Sequence, residues 1–256
     1  MFYLNKLCGK IFRSENMEQY NTLAFVLKKE ALGEADRFYY FYTQKYGQIK
    51  TLARGSSKIK AKLAGHLEIP SLASIDFVNF NNPRLISSLE QNSFSSIKKR
   101  VFSLEVAFQI ANLLYEFTLP YQTDLEIWQL TYDCLFLLEQ NVTSFFEVSN
   151  FVALYFNAQL LKLIGLAPFL DGCTACGNRL ETNYFNFEKK GLVCKKHSHK
   201  TDLPISSKQR DLLILLFNFP LNNFKKPQLI KEILKEEKFL KNFLTEFTLV
   251  IKSSII

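Results

Sequence analysis

The sequence predicts a multidomain α+β protein in which a small β-barrel precedes a helical domain. Residues 21–94 form five short β-type runs separated by turn residues, which is typical of a small antiparallel barrel. After about Ser96 the apolar residues recur every three or four positions, as on one face of a helix. We therefore expect an N-terminal extension at 1–16, a barrel domain at 17–96 and a helical domain at 97–256.

The composition is that of a folded protein with a basic surface. Hydrophobic residues make up 48% of the chain, enough to bury a core, and the net charge of +8 attracts polyanions without specifying a fold. Lys6, Lys10 and Arg13 interrupt the first sixteen residues before any apolar stretch reaches the length of a signal-peptide core, so we interpret this segment as a dispensable extension. No apolar run approaches the roughly 18 residues that cross a membrane. Five cysteines without an export signal indicate a reducing compartment, and we expect a cytoplasmic protein.

The barrel domain is predicted from its β-type runs and the turns between them. Gly33, Gly47, Gly55 and the segment 81–83 fall between consecutive runs, where turn residues are expected. Because these connections have the character of hairpins, they predict an antiparallel meander. The runs are TLAFVLKK at 22–29, DRFYYFYTQKYG at 36–47, QIKTLARG at 48–55, EIPSLASIDFVNF at 68–80 and RLISSLEQNSF at 84–94.

The helical domain is predicted from apolar periodicity and from start and stop signals. Gly165 supplies a stop after the third helix, either Ser206 or Ser207 supplies a cap for the fourth, and Pro227 supplies a start for the fifth. Cys134 lies among leucines in the second helix, where we expect a buried and unreactive thiol. The predicted helices span 101–115, 125–140, 145–164, 207–218 and 227–251.

Two closely spaced ligand pairs predict a metal site at residues 171–199. Cys173 and Cys176 form one C-x2-C pair, and Cys194 with His197 forms a second pair after seventeen intervening residues. A two-residue gap lets both side chains of a pair point at one ion, and the YFNF and GLV segments between the pairs can form a hairpin. Three thiolates and one imidazole make a tetrahedral zinc set, with His199 as the alternative fourth ligand. Since four protein ligands leave no open position for water, we expect a structural Zn2+.

A basic segment at 45–62 predicts a nucleic-acid-binding surface. It contains six cations and no acid, and its alternating lysines would share one face of an extended chain, where they can follow a phosphate backbone. The neighbouring tyrosines at 39, 40, 42 and 46 offer rings for base stacking, although some must belong to the core. A solvated loop is the alternative. The six cations are Lys45, Lys50, Arg54, Lys58, Lys60 and Lys62.

In order and spacing, these features resemble the RecO family of bacterial recombination mediators over the chain after Met17. The resemblance implies that the barrel is an OB-fold and that the Cys/His region is a zinc-ribbon-like insertion in the helical domain. His197 departs from the four cysteines that the family often uses, but imidazole is an ordinary zinc ligand. The pieces that carry the resemblance are Gly33-Glu34-Ala35-Asp36, Tyr46-Gly47, Ala53-Arg54-Gly55, Leu63-Ala64-Gly65-His66-Leu67 leading to Pro70, and the Cys173, Cys176, Cys194 and His197 set.

The resemblance also implies a function without catalysis. A member of this family would bind single- and double-stranded DNA, promote strand annealing, partner RecR, and help RecA displace single-stranded-DNA-binding protein during recombinational repair. The sequence has no G-x-x-x-x-G-K-[ST] loop, so ATP-driven activity is not expected.

Three other interpretations remain open at this stage. A zinc deaminase is suggested by the H-x-E at His66-Leu67-Glu68 together with Cys173-x2-Cys176, but Gly172 stands where that signature has Pro. A zinc-containing OB protein that binds RNA would have the same charge and ligands. The helical domain could also carry an apolar groove flanked by Lys, which would suit an acidic peptide tail.

Overall fold

The computed structural model describes residues 18–55, 67–141, 145–179, 184–221 and 227–255. An N-terminal sheet domain is followed by a helical region into which a small second sheet is inserted. Among the described residues, no helix combines the length and the apolar character needed to cross a membrane.

The first sheet closes on itself in the order β1-β2-β3-β5-β4. Long strand β1 pairs antiparallel with both β2 and β4, which closes the barrel. The predicted antiparallel meander holds for β1, β2 and β3 but is wrong beyond them, because β3 pairs with β5 in parallel at Leu52 and Arg84. The strands are β1 at Gln19–Leu32, β2 at Asp36–Thr43, β3 at Gly47–Ala53, β4 at Leu72–Val78 and β5 at Arg84–Asn92.

The barrel strands are apolar on both faces over part of their length, and the two faces pack against different groups of residues. Successive side chains of a strand point to opposite faces, so alternate residues such as Tyr39 and Phe41 fill the barrel interior. The residues between them, such as Tyr40 and Tyr42, belong instead to the core of the helical domain. The outer face of β1 and β2 is therefore the surface on which the helices pack.

The helices confirm most of the predicted ranges. Asp124 caps the second long helix by accepting from the N–H groups of Glu126 and Ile127, and Ser206 forms a capping box with Gln209. Cys134 is fully buried, as predicted, and burial raises the pKa of its thiol. The helices are α1 at Ser95–Lys98, α2 at Val101–Phe117, α3 at Leu125–Gln140, α4 at Phe145–Leu163, α5 at Ser207–Asn218, α6 at Pro227–Leu234 and α7 at Glu237–Ile255.

The C-terminal segment forms two helices, so the single helix predicted from Pro227 to about Ile251 is wrong. The break lies at residues 235–236. There the carboxylate of Glu236 accepts from Gln209 Nε2 at 3.1 Å and lies 3.7 Å from Lys208 Nζ. Contacts with the start of α5 thus lie at the break, and periodicity along one segment does not report such contacts.

The inserted sheet is attached to the last helix through aromatic side chains. Strands β6 at Tyr184–Asn186 and β7 at Gly191–Val193 form the predicted hairpin, and β8 at Leu203–Pro204 pairs with the other edge of β6. The ring of Phe185 is buried 4.7 Å from the ring of Phe243 in α7. This packing fixes the Cys/His region on the helical core.

Aromatic packing joins the barrel to the helices. The ring of Trp128 in α3 lies 4.6 Å from Phe25 and 6.4 Å from Tyr42, both on the outer face of the barrel. The Tyr42 hydroxyl also donates to the carbonyl of Asp124 at 3.2 Å. These large buried rings contribute a major share of the interdomain stability, because apolar area removed from water is the main favourable term.

Backbone contacts at the start of β3 fix the connection between α2 and α3. Gly47 adopts a left-handed φ of 63°, and a Cβ built on it would lie 2.1 Å from the carbonyl oxygen of Gln122. Beside it, Gln48 accepts from the N–H of Tyr121 through its backbone carbonyl at 3.0 Å and from the Thr118 hydroxyl through its side-chain oxygen at 3.1 Å. Only glycine permits this approach of two backbones.

We expect Gly47→Ala to destabilise the protein more than Gly33→Ala. Both glycines have a φ of 63°, so alanine costs about 1–2 kcal/mol at either position through left-handed strain. A Cβ at Gly33 meets open space, whereas a Cβ at Gly47 must displace backbone, for which we expect roughly 1–3 kcal/mol more. Urea unfolding of both variants measures the difference, and equal losses would mean that the Gly47 contact contributes nothing.

Candidate metal centre and nucleic-acid interface

Four Cys and His side chains converge beside the inserted sheet. Cys173 and Cys176 lie on a turn that Gly177 ends at a left-handed φ of 71°, which glycine adopts without strain. Strand β7 leads into Cys194, and a single 3-10 turn at Lys195–His197 brings His197 back towards it. The potential ligand atoms all lie within 4.8 Å of one another. The structure thus brings together all four of the predicted ligands.

The distances are those of side chains facing one point. Cys173 Sγ lies 3.8 Å from His197 Nδ1, and Cys194 Sγ lies 3.2 Å from the same nitrogen. Cys176 Sγ lies 3.9 Å from Cys194 Sγ. Among the described residues the group contains His197 and not His199, whose backbone N–H donates to Asp202 at 2.7 Å. The group could hold a metal ion.

The electrostatics of the cysteines favour a bound cation. Burial of Cys173 opposes ionisation, but the backbone N–H groups of Cys194, Ala175 and Cys176 lower the pKa of its thiol to about 6. The pKa of Cys176 is shifted upwards: the N–H of Asn178 lowers it, but burial and the neighbouring Cys173 and Cys194 sulfurs outweigh that effect. Ionised sulfurs this close together would repel one another, and a cation between them would remove this repulsion.

The deaminase interpretation gains no support from this arrangement. Among the described residues, Cys194 and His197 complete the ligand group of Cys173 and Cys176, and Glu68 of the H-x-E motif is not a member. Glu68, the acid of that motif, instead forms an ion pair with Lys29 of β1 at 2.5 Å, and His66 lies outside the described residues.

Half of the predicted basic surface lies along β3. Lys45 precedes the strand, Lys50 lies on its outer face and Arg54 follows its end, and all three are exposed. Lys45 Nζ donates to the carbonyl of Asn21 at 3.1 Å, and Lys50 Nζ lies 4.1 Å above the ring of Phe38. These contacts hold both ammonium groups against the barrel surface. Lys58, Lys60 and Lys62 lie outside the described residues.

Barrel closure places two further arginines on strands that adjoin the end of β3. Arg37 of β2 lies opposite Ala53, the residue before Arg54, and Arg84 of β5 lies beside Leu52, two residues before it. Arg84 is exposed and Arg37 is half-buried. Because Arg37 and Arg84 belong to different strands, no single segment of the sequence shows that they lie near the end of β3. The sequence alone does not show which strands pair, so it could not reveal this arrangement.

The predicted stacking tyrosines are mostly core residues. Tyr39 is 0%, Tyr42 is 1% and Tyr40 is 9% exposed, so they offer no open ring for a base. Tyr46 is partly exposed, and it belongs to a different aromatic group at one end of the barrel. This end group consists of Tyr20, Tyr46, Phe77, Phe80 and Tyr121.

The helical domain contains a groove, and the charged residues that the structure describes in its lining are acidic. The groove has a volume of about 870 Å³ and lies against α3, α4 and the start of α6. Its described lining combines apolar side chains with Glu126, Asp133 and Glu147 and includes no Lys or Arg. The expectation of a Lys-flanked groove for an acidic tail does not fit this groove, because its carboxylates would repel such a tail.

Comparisons with known proteins cover most of the chain. The family models "Recombination protein O N terminal" and "Recombination protein O C terminal" match residues 17–96 and 102–247. The DNA repair protein RecO of Dehalococcoides mccartyi is 28% identical over 221 residues, which is 85% of each chain. The protein of that name from Thermodesulfovibrio yellowstonii is 27% identical over 236 residues, which cover 87% of this chain and 91% of the other. The one from Listeria monocytogenes is 26% identical over 207 residues, 77% of this chain and 76% of the other.

We expect His197→Ala to lose bound metal and His199→Ala to keep it. The first variant removes one of four converging ligands, whereas the second removes a side chain outside the group. Elemental analysis of the purified variants, with the metal content expressed per chain, makes the comparison. If His197→Ala kept the metal and His199→Ala lost it, the fourth ligand would be His199 and not His197.

Proposed function

Because the chain belongs to the RecO family of DNA repair proteins, we propose that it is a recombination mediator without catalytic activity of its own. In this proposal it binds single- and double-stranded DNA in the cytoplasm, anneals complementary strands and, together with RecR, assists RecA loading. The family matches cover both structural parts of the chain. The strand order β1-β2-β3-β5-β4 also fits a five-stranded OB barrel, a fold that commonly binds oligonucleotides.

The basic row along β3 is the observation that carries the DNA-binding proposal. Lys45, Lys50 and Arg54 follow one strand from end to end, and exposed Arg84 lies beside Leu52 near the end of that strand. Arginine pairs with phosphate through two parallel hydrogen bonds, which suits arginines near the point where the chain continues towards Lys58. Asp36 lies at the same end and accepts from the Gly55 N–H at 2.8 Å, which fixes the start of that continuation.

The charge distribution supports annealing by a simple mechanism. Cations that neutralise phosphates release condensed counterions, so binding is salt-sensitive and largely independent of base sequence. Two strands held on one basic surface repel each other less and meet at a higher effective concentration. Neither effect requires a nucleotide cofactor or a chemical step.

The metal in the Cys/His group is proposed to be zinc, in a structural role. Zinc bonds of about 2.3 Å to sulfur and 2.0–2.1 Å to nitrogen place tetrahedral sulfurs about 3.8 Å apart, and a sulfur and a nitrogen about 3.6 Å apart. The separations of 3.9 Å between Cys176 and Cys194 and of 3.8 Å between Cys173 and His197 are close to these values, and the 3.2 Å between Cys194 and His197 is shorter. When bound, the ion cross-links the two loops that flank β6 and β7.

The partner proteins are proposed from the family relationship. RecR would bind the protein directly, single-stranded-DNA-binding protein would be the factor displaced from DNA, and RecA would be affected indirectly. The acidic lining of the helical groove argues against that groove as the place where an acidic tail binds.

An RNA-binding OB protein is the alternative function, since the basic row recognises phosphate in either nucleic acid. Contacts with the 2′-hydroxyl would distinguish the two. Competition between DNA and RNA oligonucleotides of the same sequence separates the proposals: preferred binding of RNA would favour the alternative.

We expect Arg54→Glu/Arg84→Glu to slow annealing of complementary oligonucleotides by at least about ten-fold at low salt. Each lost phosphate contact lowers the slope of log affinity against log salt by roughly one, so the double variant should lose about two. The matched control is Lys238→Glu/Lys241→Glu, which changes the net charge equally on exposed positions of α7.

The control separates a local site from a general charge effect. Equal losses in both double variants would mean that net charge alone attracts DNA and would contradict a site at β3. The triple variant Lys58→Glu/Lys60→Glu/Lys62→Glu tests the part of the basic segment outside the described residues. A folded, metal-loaded wild type that fails to anneal at low salt would contradict the proposed function itself.

A further inference from the structure

An aromatic residue from the helical domain is held in an unusual conformation at the end of the barrel. Tyr121, in the connection between α2 and α3, has a left-handed φ of 60°, although a bulky side chain makes that conformation costly. Its side chain is 43% exposed, so burial of the ring does not account for the position. Strained residues of this kind concentrate at sites that bind ligands.

Three contacts from the barrel keep Tyr121 in place. Its N–H donates to the Gln48 carbonyl at 3.0 Å, and its hydroxyl donates to the Phe80 carbonyl at 3.3 Å. The next residue, Gln122, passes over Gly47 at a distance that excludes any Cβ. The position of this ring is therefore set by the barrel and not by the helices on either side.

Tyr121 extends an aromatic surface that begins inside the barrel. Its ring lies 4.9 Å from that of Phe80, which in turn lies 5.3 Å from Tyr20 and 5.6 Å from Tyr46. The buried ring of Phe77 is stacked 5.2 Å below Tyr20 and anchors the group in the barrel core. Rings fixed from below, with an exposed edge member, form a rigid platform against which a flat group can stack.

The charge around the platform suits a polyanion. Exposed Lys45 adjoins Tyr46 in the sequence, and its ammonium group is bound to the carbonyl of Asn21, the residue after Tyr20. From there the basic row follows β3 to Arg54. Two acids are also found here: Glu18 accepts from the Tyr20 hydroxyl at 2.6 Å, and Asp76 accepts from Asn21 Nδ2 at 2.7 Å.

From this arrangement we propose that unstacked bases of single-stranded nucleic acid stack on Tyr121 and Phe80 while the phosphates follow the basic row of β3. The inference rests on the proposed function, which it deepens by assigning a base-binding site. Bases of a duplex are already stacked and paired, so they cannot use the platform. The site therefore confers a preference for single strands on a surface whose charges bind any nucleic acid.

The experiment compares three variants of the full-length protein by fluorescence anisotropy with an oligothymidylate and with a duplex. Tyr121→Ala removes the ring, Tyr121→Phe keeps the ring without the hydroxyl bond to Phe80, and Leu119→Ala removes another exposed apolar side chain two residues away. We expect Tyr121→Ala to weaken binding of the single strand about ten-fold and to leave the duplex unchanged. Tyr121→Phe and Leu119→Ala should bind both probes as the wild type does.

The remaining outcomes contradict either the platform or the proposed function. Unchanged binding of the single strand by Tyr121→Ala, in a protein that still binds DNA, overturns the platform but not the proposed function. Equal weakening for both probes also overturns it, because Tyr121 would then act only through the position of the basic row. A wild type that binds neither probe removes the proposed function first, and the platform with it. Thermal unfolding of each variant checks that the fold is retained.

Discussion

The close approach of two backbones at Gly47 is the contact on which the arrangement of the two domains depends. Strand β3 begins there, and the connection between α2 and α3 crosses it with no room for a side chain. Gln48 then pairs with Thr118 and Tyr121, so the end of α2 and the approach to α3 have fixed positions on the barrel. With α3 in place, Trp128 meets Phe25 and Tyr42, and the helical core continues into the outer face of the barrel.

The two candidate sites differ in how their residues are brought together. The Cys/His group is local in sequence, because two short turns and one hairpin supply all four side chains. The basic row and the aromatic platform are assembled by barrel closure, which brings β2, β3 and β5 side by side and leaves Tyr121 on their edge. The metal group can therefore stabilise its own segment, whereas the other surface exists only when both domains are folded against each other.

Features that are local in the sequence were predicted well, and features assembled from several strands were not. Apolar periodicity located α3, whose bounds at residues 125–140 agree with the prediction, and the ligand spacing located the metal group. The parallel pairing of β3 with β5 is not encoded within either run, so the position of Arg84 beside the end of β3 had no sequence signal. More of the predicted stacking tyrosines are buried than alternation indicates, because β2 buries both of its faces.

Around Trp128 the helices cover apolar residues of the barrel, and this affects how the chain unfolds and whether it can be divided. A barrel separated from its helices would expose Phe25, Tyr42 and Leu72, which the helical core now covers. Large apolar patches of this kind promote aggregation. The two halves are thus a single cooperative unit despite their different architectures. Exchange of one half for that of a distant relative would succeed only if the matching residues on both sides of the boundary were exchanged with it.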